Sequence, residues 1–173
     1  MAVIPIVKYP DPVLTREATP VEKIDEDIRR LAEDMVDTMR MAPGAGLAAP
    51  QVGRSCRLIV VEMSDGQAIR DPLVLVNPKI TSAEGQLVFE EACLSVVDYS
   101  AKVDRASEVM VEALDLEGVP VEIQAEGRLA VVLQHEIDHL DGILFIDRIS
   151  RLKRDLYKRR LKKLLKKERE SED

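Results

Sequence analysis

A chain of 173 residues, 46% hydrophobic and 33% charged, is long enough for one domain with a real core and room for an appendage. No apolar run approaches the ~18 residues of a membrane span, and the opening MAVIPIVKYPDP lacks the basic start and apolar length of a secretory signal. Two widely separated cysteines, Cys56 and Cys93, exclude a disulfide framework and fit a cytoplasmic protein that keeps both as thiols.

The elements follow in chain order. YPDPVL is extended or turned, because proline fixes φ and restrains the residue before it. A first helix is expected from about Asp25 to Met41, with Ile24, Ile28, Leu31, Met35 and Met39 at helical spacing and Pro43–Gly44 as its stop. GAGLAAPQVG, residues 44–53, reads as neither helix nor strand. Short strands are expected at Arg57–Glu62, Leu73–Val76, Gly85–Glu91 and Val109–Leu116, the last turning through EGVP into Val121 and Ile123 as a hairpin. A helix from about Arg128 to Leu140 is apolar on all sides up to His135, which suits burial, and Gly142 is placed to end it. The last segment places Leu152, Leu156, Leu161, Leu164 and Leu165 in one apolar stripe among lysines and arginines. The fold class is α+β, with mostly antiparallel short strands around the buried helix and a helical C-terminus. The domain reading is a catalytic body over residues 1–147 and a basic amphipathic helix with a polar tail over 148–173.

Charge divides the same way. The net charge is −7, yet from Arg148 onward there are twelve Lys/Arg against five Asp/Glu, while residues 1–147 hold thirteen against 27. An acidic body carries a basic tail.

The only two histidines of the chain, His135 and His139, stand four apart in VVLQHEIDHLDGI. On a helix they lie about 40° apart around the axis and roughly 6 Å along it, so both imidazoles can meet one cation. Glu136 lies beside them, completing an HExxH pattern in which two histidines hold a metal and the glutamate handles protons. Two inert core histidines are the plain alternative, but packing has no use for stacked imidazoles with a carboxylate alongside. A catalytic site of this kind takes three protein ligands and leaves a position open. No third histidine follows, so the third ligand is sought upstream, with the cysteines as candidates. Cys56, at the head of an apolar strand, reads as a small buried hydrophobe. Cys93 stands in EEACLSV, after a strand-like run.

Three segments together, GAGLAAPQVG (44–53), EEACLS (90–95) and QHEIDHLDG (134–142), resemble the peptide deformylase family in order and spacing, as do YPDPVL and LFIDRIS outside them. The resemblance covers almost the whole chain. It implies that Cys93, His135 and His139 ligate one divalent ion and that Glu136 is the general acid and base. Gln51 would supply its side-chain N–H, and Leu94 its backbone N–H, to the substrate carbonyl oxygen. Gly46 would offer backbone groups to the bound peptide. The implied reaction removes the formyl group from N-terminal formyl-methionine of newly made polypeptides, releasing formate, with a metal-bound water attacking the formyl carbonyl. Such an ion lowers the pKa of water from about 15.7 to about 7. The family implies Fe(II), with Zn, Ni or Co as substitutes, whereas the affinity order alone places Zn above Fe. Leu94, Val131 and Val132 could line an apolar slot for the methionine side chain.

Three positions depart from the family pattern. Ala92 replaces a glycine, at a cost if that position needs φ > 0. Val97 stands where Pro or Gly is common. Arg128 replaces an apolar residue, and a charge there at the pocket mouth would favour acidic or polar substrate residues. The basic helix suggests docking on the RNA of the ribosome near the emerging chain; packing on the acidic body is the alternative. Neither DNA nor a membrane is implied as a partner. Two other functional classes compete: an HExxH metalloprotease, and a structural module in which Cys56, Cys93, His135 and His139 close around an ion with no open position.

Overall fold

Helix formation at the N-terminal end follows the spacing of the apolar residues. In the computed structural model of the chain, which describes residues 2–63 and 71–172, α1 spans Glu26–Met41. Asp25 caps it, accepting from the N–H of Ile28, and Glu26, Asp27 and Arg40 sit where the helix dipole favours them. Ile28, Leu31, Met35 and Met39 are buried.

Seven strands follow among the described residues: β1 (Gly46–Ala48), β2 (Leu58–Val61), β3 (Leu73–Glu84), β4 (Leu87–Cys93), β5 (Val96–Arg105), β6 (Glu108–Leu114) and β7 (Pro120–Glu126). Five form an antiparallel sheet in the order β1-β2-β3-β6-β7, and β4 pairs with β5 in a separate antiparallel hairpin. The two-residue period of a strand then divides the core. Leu58 and Val60 of β2 point toward α1 with Leu47 and Val76, while Ile59 and Val61 point the other way, with Leu75, Val109 and Val111. That second face receives α2 (Gly127–Leu140) through Ala130, Leu133, Ile137 and Leu140. The HExxH helix is therefore pressed between the sheet and the rest of the chain, in the α+β arrangement expected.

Four expectations change. The glycine-rich segment holds a short strand, β1, and a 3₁₀ turn over Ala49–Val52. β3 does not stop at Val76. Asn77 takes φ +52° and its amide bonds both the N–H and the carbonyl of Val21, and the ladder resumes at Lys79 beyond a register shift. Pro78 is tolerated there because a bulge asks for no ladder hydrogen bond. β5 is an additional strand, with Tyr99, Ala101 and Val103 on one face. The leucines of α3 (Arg151–Glu172) do not form one buried stripe. Tyr157, Leu161 and Leu165 face inward against Val96, Tyr99 and Phe145, and Leu152, Leu156 and Leu164 are exposed.

No helix among the described residues is long and apolar enough to cross a membrane.

Candidate metal centre

The site is assembled from two elements. α2 presents His135 and His139 one turn apart, with ring centroids 5.0 Å from each other. The β4–β5 hairpin delivers Cys93 from its tight end, with Sγ 3.4 Å from Nε2 of His139. One ligand atom from each of Cys93, His135 and His139 lies within 4.8 Å of the other two.

The donor set fits a divalent ion. It offers one soft thiolate and two imidazoles, the combination suited to Zn, Fe, Ni or Co. His135 holds its Nδ1 against Glu91 Oε1 at 2.8 Å, which leaves Nε2 to the ion. His139 is 1% exposed. Burial, then the neighbouring His135 and Arg105, depress its pKa well below the usual range, so it carries the neutral imidazole that binds metal. Burial pushes His135 the same way, but hydrogen bonds to Cys93 and Glu91 reverse the direction and raise it. A cation at its Nε2 takes the place of that proton.

Glu136 stands on the same turn, 4% exposed, and its Oε2 has no hydrogen-bond partner. Burial raises its pKa to about 7, against the opposing pull of His135. A carboxylate at that value exchanges protons near neutral pH. Gly46 lies directly against it: a Cβ there would sit 2.8 Å from both Cγ and Oε1 of Glu136. β1 is an edge of the five-stranded sheet, so Gly46 stands on a strand with an open side.

Gln51 is 2% exposed and tightly held. Its Oε1 accepts from Ala48 N–H at 3.0 Å. Its Nε2 donates to Ser95 Oγ at 3.1 Å and toward Cys93 Sγ at 3.6 Å. Leu94 follows Cys93 in the hairpin turn, and its carbonyl accepts from Lys8 Nζ. A cavity of about 400 Å³ joins these parts, lined by Gly46, Gln51, Leu94, Val131, Val132 and Glu136 among others. Every residue that the family resemblance assigns to the site therefore meets at this one place.

Cys56 does not. It packs with the α1 side of the sheet and bridges Thr19, so the closed four-ligand module is overturned. Ala92 is not among the non-glycine residues of positive φ, which among the described residues are Asn77 and Asp98, so its replacement of glycine costs nothing of that kind.

The sequence reading missed the support behind the ligands. Glu91 is 4% exposed and Arg105 5% exposed. Arg105 grips Glu91 with two hydrogen bonds of 2.8 Å and reaches Asp138 Oδ2 at 2.6 Å. Arg148 closes the chain with two bonds to the same Asp138 carboxylate. Burial would raise the Glu91 pKa, but Arg105 and then His135 hold it at about 2. A usable signal existed: Glu91 stands two residues before Cys93 in EEACLS, near enough to reach the same site although the β4–β5 register shifts between Ala92 and Cys93.

The chain matches the family described as polypeptide deformylase over residues 3–155. It is 52% identical over 167 residues to a peptide deformylase from Rhizobium meliloti (strain 1021), covering 96% of each chain. Against a peptide deformylase from Syntrophobacter fumaroxidans it is 51% identical, over 96% of this chain and 98% of the relative. The fold superposes on the crystal structure of a peptide deformylase from Legionella pneumophila with TM-score 0.88, at 47% identity and over 96% and 98% of the two chains. With a peptide deformylase from Ehrlichia chaffeensis in complex with actinonin the TM-score is 0.89, at 39% identity over 94% and 98%.

Proposed function

The chain belongs to the polypeptide deformylase family, metal-dependent hydrolases that take the formyl group from N-terminal formyl-methionine, and we propose that Glu136, Gln51 and Leu94 carry out its proton transfer and oxyanion binding. The observation that carries this reading is the buried Glu136 carboxylate with a free Oε2, beside a three-ligand set. When bound, a divalent ion supplies Lewis acidity and brings water near neutral pKa.

The roles follow from position. Glu136 accepts a proton as water adds to the formyl carbon and returns it to the amine as the C–N bond breaks, so that formate and a free amino terminus leave. A positioned acid–base group contributes on the order of 10²–10⁴ in rate. Gln51 offers the N–H now directed toward Cys93 Sγ to the developing oxyanion, with Ser95 and Ala48 holding its amide plane in place. The Leu94 N–H is the second donor. One such donor is worth on the order of 10²–10³ in rate. Val131, Val132 and Leu94 form the apolar wall for the methionine side chain, and Gly46 offers its backbone at the sheet edge.

The native ion in this reading is Fe(II), with Zn, Ni or Co able to substitute. The family resemblance supports iron, since the ligand atoms themselves suit all four. The enzyme works in the cytoplasm on nascent chains, which two free thiols support. Its C-terminal helix serves as a ribosome anchor through lysines and arginines on the outward face of α3. The test of the core reading is anaerobic purification with metal analysis and a formate-release assay on the same sample. About one iron per chain with formate from formyl-Met peptides supports it; a metal-loaded, folded protein that releases none overturns it.

A further inference from the structure

Among the charged side chains that line the substrate cavity outside the metal centre, only Arg128 lacks a polar contact among the described residues. Glu136 and Glu91 belong to the metal centre. Glu90, also on the lining, accepts from Ser100. A second cavity of about 290 Å³ shares Pro43, Gly44, Ala45 and Arg128 with the first, so the two form one groove that divides at Arg128. On its far side Arg40 and Glu62 neutralise each other at 2.6 Å. Arg128 is exposed and, among the described residues, makes no hydrogen bond or ion pair. Folding does not explain it either, since a cation in the first turn of a helix opposes the dipole.

Arg128 stands on the same face of α2 as Val132 and His135. It lies seven residues before His135, about 10 Å along the axis. A peptide leaving the metal centre in extended form advances about 3.4 Å per residue, so it passes Arg128 within roughly three residues. We propose that Arg128 is a specificity-determining residue of the known reaction. It selects formylated chains that carry a carboxylate side chain in the first two positions after methionine. This rests on the deformylase reading above and adds to it the class of substrate preferred.

The test compares formyl-Met-Glu-Ala, formyl-Met-Ala-Glu, formyl-Met-Lys-Ala and formyl-Met-Ala-Ala, all as C-terminal amides so that no terminal carboxylate competes. The metal-loaded full chain, Arg128→Leu and Arg128→Glu are assayed for formate. At low salt the wild type should prefer one or both glutamate peptides over the lysine peptide in kcat/KM by about three- to ten-fold, the range of a partly exposed ion pair plus repulsion of the wrong charge. The ratio should fall toward one in Arg128→Leu, invert in Arg128→Glu, and shrink in 1 M salt, where the Debye length is about 3 Å. Equal use of all four peptides by the wild type overturns the proposal. So does a preference for lysine, which Glu90 would favour, or a glutamate preference that survives in both variants. Formate from none of the peptides overturns the deformylase reading itself and the proposal with it.

Discussion

Replacing Gly46 with alanine adds one methyl group at the most constrained point of the site. The added Cβ would lie 2.8 Å from Glu136 Cγ and Oε1 and 3.0 Å from Cδ, where ordinary contact begins at 3.4 Å. The carboxylate must retreat by several tenths of an ångström, and its 4% exposure leaves little room to do so. Gly46 is not among the glycines of positive φ, so the backbone accepts alanine and the effect falls on Glu136. Overpacking of this kind costs about 1–3 kcal/mol of stability. A misplacement of a catalytic group by about 1 Å costs on the order of 10²-fold in rate, and a shift of several tenths of an ångström costs less, about tenfold. The expected result is a kcat lower by about tenfold or more with metal content unchanged, since the displaced atoms belong to Glu136 and not to a ligand. Formate release, metal analysis and thermal unfolding on one preparation measure all three. Near-wild-type kcat would refute the reasoning, and so would a loss of activity matched by a loss of metal.

Glu91→Gln should weaken metal affinity about 10–100-fold, because His135 loses the carboxylate that orients it; competition with a chelator measures this. Glu91 also sets an acid limit in the metal-free protein. Its folded pKa of about 2 lies below the ordinary 4.5, so the unfolded chain takes the proton first. The resulting stability, about 3 kcal/mol, is fully present above pH 4.5 and is lost as the pH falls toward 2. Denaturant unfolding across that range should show the slope in the wild type and lack this part of it in Glu91→Gln. Cys56→Ser should keep both metal and formate release, as Cys56 stands apart from the ligands. Deleting everything after Lys153 would remove Tyr157 and Leu161, which are buried against the body, and so confounds any test of ribosome docking. Changing Lys162, Lys163, Lys166 and Lys167 to glutamine instead should weaken ribosome co-sedimentation and flatten its salt dependence, while hydrolysis of small formyl-peptides continues.

The site was more legible than the frame around it. His135, Glu136 and His139 declare themselves because a helix converts i, i+4 spacing into a shared face. Cys93 was singled out by the segment it sits in. What stayed hidden was what long-range pairing decides. β5 alternates inward Tyr99, Ala101 and Val103 with Lys102 and Asp104, and only the partner strand β4 turns that pattern into structure. The apolar run Leu73–Val76 shows only the first part of β3, and the bulge that carries the strand past Asn77–Pro78 depends on contacts with Val21. Nothing in the local sequence around Arg105 and Arg148 marks them as support for the site. Arg105 is buried because Glu91 and Asp138 arrive from β4 and α2, distant in sequence, while Arg148 stays exposed and reaches in to the same Asp138.

One rod of fourteen residues carries most of the proposed chemistry: two of the three side chains of the proposed methionine wall, two of the three candidate metal ligands, the proposed proton carrier and the groove's unpaired cation all project from α2. Adding or removing one residue between Arg128 and His139 would swing everything beyond the change by about 100°. Lineages of this enzyme can therefore vary the identity of side chains along the rod, but not its spacing, and length changes should be confined to the connections between strands.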